Sequence, residues 1–227
     1  MSDGQAPIDV FLKPPLHQIL CIGALFAESQ DDGAYIVRRL DARHIGDKSE
    51  PDLVRDFVAA LPRDDAGNGP VLASFNGGSF NLPILRYRAL AHGAPVPALF
   101  ANSGRDYWYR FGRDHIDLCD MLAGFGASAR PSLGEMAALL GIPAKLGGMD
   151  GTQVEALARA GHLDEIAAYC LGDVIVTFRL MLRFALVRGE IDDAEADTSE
   201  ASLDAAIVRH LEHWPLLAGI RQDSSLG

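Results

Sequence analysis

The sequence predicts an α/β domain in which a mixed β-sheet is flanked by helices. Three observations predict it. An apolar run and an alternating run meet across a short polar turn, which reads as an early hairpin. Two further short strand-like runs, 70–75 and 115–118, fall between stretches of helical spacing. The longest amphipathic stretch, 163–187, comes late in the chain, after a series of shorter helices.

The elements follow in order. Residues 17–28 (HQILCIGALFAE) are almost wholly apolar and lie between Pro14-Pro15 and a polar turn, as expected for a buried strand. Gln30–Gly33 is the turn, and 34–40 alternates as the hairpin's second strand. Residues 50–61 carry Leu53, Phe57, Val58 and Leu61 at helical spacing, with Ser49 and Pro51 marking the start. Residues 70–75 form a short strand that runs into Asn76-Gly77-Gly78, and 80–92 form a helix closed by Gly93. Residues 95–113 are irregular, aromatic and Arg-bearing. Residues 115–118 form a brief strand, and 132–140 a helix that stops at Gly141-Ile142-Pro143. Lys145–Gly151 is a glycine-rich loop and 152–160 a helix ended by Gly161. The acid-rich stretch 190–200 lacks any base and reads as a solvated linker. Residues 202–220 read as a final amphipathic helix with Leu203, Ile207, Leu211, Trp214 and Leu217 along one face. The expected organisation is a domain over 1–188, a linker over 189–201, and a C-terminal helix and tail over 202–227.

Composition narrows the function classes. The chain has 227 residues, 48% of them hydrophobic, so one sizeable core is expected. No apolar run approaches the roughly 20 residues of a membrane span, and no secretion signal is legible at the start. Cys21, Cys119 and Cys170 are spaced neither as a disulfide framework nor as a zinc site, which suits a reducing, cytoplasmic setting. The net charge of −11 argues against broad, non-specific binding to a nucleic-acid backbone.

Four stretches carry the chemistry: FLKPPLHQILCIG (11–23), SFNGGSFNLPILRYRAL (74–90), HIDLCDML (115–122) and YCLGDVIVTFRL (169–180). Together and in this order they resemble the predicted 3′-5′ exonucleases related to the proofreading domain of family-B DNA polymerases, over roughly 11–183. The resemblance implies the DEDDy class and a ribonuclease H-like fold. It implies two divalent cations, Mg²⁺ or Mn²⁺, held by carboxylates at the 3′ end of a single strand. Onto the third block, Asp173 carries over as a cation ligand and Tyr169 as the residue that orients the attacking water. Their i, i+4 spacing places both on one helix face.

The second block carries over with a departure. Asn76 and Phe80 match its Asn and Phe, but Asn81 stands where the family has a ligand Asp. An amide oxygen reaches a metal or a water yet brings no charge. Asn81 also suits a helix N-cap, and both readings stand. The first block, D-x-E on the first strand, has no clear match. The nearest acid is Asp9, which stands as the candidate for that block. In a ribonuclease H-like sheet that first strand is central, so it is expected here to be short, altered or missing, with residues 8–12 as its candidate. Asp117 is a further candidate for a metal contact. Tyr107, Trp108 and Arg110 are candidates for stacking on bases and touching phosphates, and Arg86 for steering the backbone. Asn76 and Phe80 join this nucleic-acid set.

The expectation is therefore a 3′-5′ exonuclease-family protein whose carboxylate set is incomplete. The alternative is an inactive descendant that binds nucleic acid or a protein. A homo-oligomer through the C-terminal helix belongs to that alternative.

Overall fold

The computed structural model describes residues 12–100, 105–143 and 153–221. Asp9, most of the candidate strand 8–12 and the 145–151 loop lie outside the described residues.

The early hairpin forms as expected, but its first strand starts at Cys21 rather than His17 and is half-buried rather than buried. Strand β1 (Cys21–Ser29) pairs antiparallel with β2 (Tyr35–His44). β2 runs past Leu40 because its alternation continues: Leu40 and Ala42 are buried, while Arg39 and Arg43 point outward and pair with Asp41. Helix α1 (Glu50–Ala59) follows, with Glu50 and Asp52 in its first turn. Strand β3 (Leu72–Ser74) pairs in parallel with β4 (His115–Asp117), and helix α2 (Asn81–His92) lies between them in sequence. After β4 come α3 (Leu118–Leu122), α4 (Leu133–Leu140), α5 (Val154–Ala160), the long α6 (Leu163–Val187) and α7 (Asp193–His210). The architecture is α/β and ribonuclease H-like, as the sequence predicts.

The two ladders do not pair with each other among the described residues. What joins them is α6, which packs on β1, β2 and β3. Gly23 of β1 makes the close approach possible: a Cβ there would stand 2.8 Å from the Cys170 sulfur of α6. The thiols of Cys21 and Cys170 lie together at the same contact. Two apolar clusters result. One lies between β2, α6, α7 and the C-terminal segment; the other lies among α1, α2 and the segment around Leu99 and Tyr107. Among the described residues no helix is long and apolar enough to cross a membrane.

The acidic segment corrects the expectation. Much of 189–201 is not a linker but the first half of α7. Asp192 caps it: its carboxylate accepts from the Glu195 N–H at 2.9 Å, and Glu195 accepts from the Asp192 N–H at 2.6 Å. The helix then covers the open edge of β2. Ser199 Oγ accepts from the Tyr35 N–H at 2.8 Å, and Ser202 Oγ from the Val37 N–H at 2.9 Å. Two edge donors that would otherwise need water or another strand are thereby satisfied. Asp192, Asp193 and Asp197 are exposed, while Ser199 and Ser202 face the sheet. Ser199→Ala leaves the Tyr35 N–H without its acceptor and is expected to cost about 1–3 kcal/mol in chemical denaturation.

The face expected to serve a second copy is likewise occupied. Leu203, Ile207, Trp214 and Leu217 are all buried in the chain's own core against β2 and α6. The helix ends at His210, and 215–220 continue as a 3₁₀ turn.

Candidate active site

The third block sits on α6 where that helix crosses the sheet. Tyr169 and Asp173 stand one turn apart on one face of the helix, close enough for the Tyr169 hydroxyl to favour the Asp173 carboxylate. Both side chains are half-buried. Burial disfavours the charged form of Asp173 and pushes its pKa up to about 6, although the Tyr169 hydrogen bond opposes the shift. A half-buried carboxylate that retains charge above pH 6 is a costly arrangement for a mere helix residue and a useful one for chemistry.

The second block forms the loop between β3 and α2. Its shape is dictated by Asn76 and the two glycines. Asn76 adopts a left-handed backbone, φ 59°, which Asn tolerates better than most residues. A Cβ on Gly77 would lie 2.3 Å from the Ser74 hydroxyl, so only glycine fits there. Asn81 is the first residue of α2 and is exposed; the cap position belongs to Phe80, so the N-cap reading of Asn81 is corrected. The Phe80 ring stands edge-to-face on His17 at 5.1 Å, which ties the block to the segment before β1. Since α6 also contacts β3, the second and third blocks are anchored to one strand.

Asp117 holds this loop together. One carboxylate oxygen accepts from the Asn76 N–H at 2.8 Å and the Cys119 N–H at 3.1 Å; the other accepts from the Gly78 N–H at 2.8 Å. With its oxygens committed to backbone donors at the start of α3, Asp117 shapes the loop. Asp117→Asn turns one of those acceptors into a donor facing an N–H. It is expected to lower stability by about 2 kcal/mol, read by urea denaturation, and to raise hydrogen exchange at Asn76 and Gly78. Beside it, His115 is buried, which holds its pKa below the ordinary range, and its Nε2 meets the Ser74 hydroxyl at 2.7 Å.

An ion cluster that the sequence did not disclose borders the loop. Asp120 is buried and takes Arg110 in bidentate fashion, at 2.6 and 3.0 Å, together with a short contact from Arg130. The Arg110 guanidinium leads in holding the Asp120 carboxyl below the usual carboxylate range. Arg130 also donates to the Asn76 side-chain oxygen at 3.2 Å and the Ser79 hydroxyl at 3.0 Å. The sequence offered Arg110 and the HIDLCD acids singly, not their pairing, and Arg130 carried no signal.

The expected nucleic-acid residues are partly redistributed. Tyr107 is 1% exposed and donates its hydroxyl to the Pro70 carbonyl at 2.7 Å, so it packs the core and offers no ring to a base. Trp108 packs beside that core and is covered by Arg86, whose guanidinium lies 4.9 Å from its ring. Arg88, on the same helix, is tied to Glu50 by two hydrogen bonds. Arg110 is exposed, and the exposed rings around it are Tyr109, Phe111 and Phe125.

Among the described residues no three His, Cys, Asp or Glu side chains gather closely enough to hold a metal ion. At the matched positions Asp173 supplies a carboxylate and Asn81 an amide. The described residues do not by themselves fit the paired-cation site that the resemblance implies.

No match is found among curated proteins or among solved structures. A family model does match, that of the predicted 3′-5′ exonuclease related to the exonuclease domain of PolB, over residues 9–218. That span takes in both ladders, the Asn-Gly-Gly loop, the Tyr169–Asp173 turn and α7, and on it the chain belongs to this exonuclease family.

Proposed function

We propose that the chain engages the 3′ end of single-stranded nucleic acid as a Mg²⁺- or Mn²⁺-dependent exonuclease of the DEDDy type, with turnover reduced by an incomplete carboxylate set. The observation that carries this reading is the pairing of Tyr169 with the half-buried Asp173 carboxyl one turn apart on α6, the helix that packs on β1, β2 and β3. Hydrolysis of a terminal phosphodiester needs a water held in line with the leaving oxygen and negative ligands to hold cations beside the phosphate. Tyr169 offers the hydroxyl that orients such a water. Asp173 offers a carboxylate that is charged above pH 6. Asn81 offers an oxygen without charge, which weakens the hold on a hard cation.

Asn81 also favours a second reading, a family member that holds a single strand without cutting it. One experiment addresses both. A 5′-labelled single-stranded oligonucleotide is incubated with the protein in Mn²⁺, and its length and its binding are followed together. Slow shortening from the 3′ end that Asp173→Ala abolishes supports the exonuclease. Binding without shortening selects the second reading. Neither binding nor shortening refutes both.

A further inference from the structure

Three aromatic side chains stand out on the surface beside the Asn-Gly-Gly loop. Tyr109, Phe111 and Phe125 are 58%, 60% and 40% exposed. They form a row: Tyr109 meets Phe111 edge-on at 6.3 Å, and Phe111 meets Phe125 at 5.0 Å. The Arg110 guanidinium lies 5.9 Å from the rings of both Phe111 and Phe125. It is held there by its two hydrogen bonds to Asp120.

The backbone goes out of its way to present Phe125. Gly124, Phe125 and Gly126 have φ of 55°, 56° and 100° in succession. Left-handed backbone is easy for the glycines and strained for a bulky side chain. A glycine at 125 would fit without strain, yet a ring stands there and faces water. Strain of this kind, joined to an exposed apolar row, marks a surface that something covers.

The charge around the row says what covers it. The chain as a whole is acidic, with net charge −11. Locally, Arg110 lies against two of the rings, and Arg110 and the exposed Arg130 share the single buried carboxylate of Asp120. Flat rings bordered by guanidinium groups suit unpaired bases on a negatively charged backbone. The chain Arg110–Asp120–Arg130–Asn76 leads from the row to the second block without a break.

We propose that Tyr109, Phe111 and Phe125, with Arg110 between them, form a stacking platform for unpaired bases that lie upstream of the 3′ terminus. This rests on the reading of a single-stranded nucleic-acid substrate. The platform is separate from Tyr169 and Asp173, and it serves a cutting and a non-cutting protein alike.

The test is fluorescence anisotropy with a labelled single-stranded oligonucleotide and the full chain, in EDTA so that nothing is cut. The variant is Phe111→Ala with Phe125→Gly. Both positions are exposed, and the glycine relieves the strained backbone, so thermal stability is expected to be unchanged or raised. The platform predicts affinity lower by about tenfold or more, restored towards wild type by Phe111→Tyr with Phe125 intact. It also predicts that replacing internal bases with abasic sites weakens the wild type by a similar factor and leaves the double variant nearly indifferent. Wild-type binding that the double variant retains in full would overturn the platform while leaving the substrate reading intact. No wild-type binding at all would defeat the substrate reading and the platform with it. Concentration-dependent self-association that the double variant loses, without nucleic-acid binding, would assign the rings to a second copy and overturn the proposal.

Discussion

Arg179→Ala is expected to lower the unfolding free energy by about 3–5 kcal/mol, the largest loss of any single substitution considered for this chain. Arg179 is fully buried in the middle of α6. Its Nε donates to Glu200 at 3.0 Å, its Nη2 to Asp204 at 3.4 Å, and its Nη1 to the Ile220 carbonyl. One side chain thus fastens α7 and the C-terminal 3₁₀ turn to the helix that carries Tyr169 and Asp173. Truncation leaves two carboxylates and a carbonyl facing a cavity, beside the cluster that contains Leu203, Ile207 and Leu217. Arg179→Lys keeps the charge but not the planar fork, so it is expected to recover only part of the loss. Urea denaturation of the three proteins checks this. A loss below about 1 kcal/mol for the alanine variant would show that the docking of α7 depends on its apolar face alone.

The second large effect has the opposite sign. Asp173→Asn is expected to stabilise the protein at pH 8. The Asp173 carboxyl has its pKa raised by burial from an ordinary 3.8 to about 6 in the folded chain. The folded state therefore holds this proton more tightly than the unfolded state does. The stability linked to it is fully present below pH 4, falls as pH rises, and is lost once pH passes about 6. At pH 8 the buried charge costs on the order of 3 kcal/mol, and asparagine removes it while keeping an oxygen to accept from Tyr169. Thermal melts from pH 4 to pH 8 should show the wild type losing ground against Asp173→Asn across pH 4–6, with the two curves parallel above. Parallel curves throughout would mean that Asp173 titrates normally and carries no such burden. A carboxylate retained at a cost to stability is the pattern expected of a functional group.

Part of this was legible in the sequence, and the reasons are physical. The hairpin's second strand and α6 were legible because burial on one face imposes periods of two and of 3.6 on the apolar residues, and Ile166, Ala167, Val174, Phe178 and Leu182 keep the latter over several turns. The Tyr169–Asp173 pair was legible because a local i, i+4 spacing fixes its geometry once a helix is granted. The start of α7 was not. Its acids read as solvation, while the decisive residues, Ser199 and Ser202, act on the backbone of a strand more than 160 positions away. Asp117 was visible as an acid but not as the organiser of the Asn-Gly-Gly loop, because its donors lie 41 and 39 residues back. Tyr107 was misplaced for a related reason. An aromatic run in an irregular segment has no period to say which rings turn inward, and burial took Tyr107 while Tyr109 stayed out.

The account turns on Asn81 and Asp173 serving one site. A single measurement tests that most directly: the rate at which Asn81→Asp, in Mn²⁺, shortens a 5′-labelled single strand from its 3′ end, beside the wild type and the Asn81→Asp, Asp173→Asn double variant. The account predicts that the added carboxylate speeds shortening by at least about tenfold, and that the gain vanishes in the double variant. An Asn81→Asp protein no faster than the wild type, or a gain that survives the loss of the Asp173 charge, would contradict it.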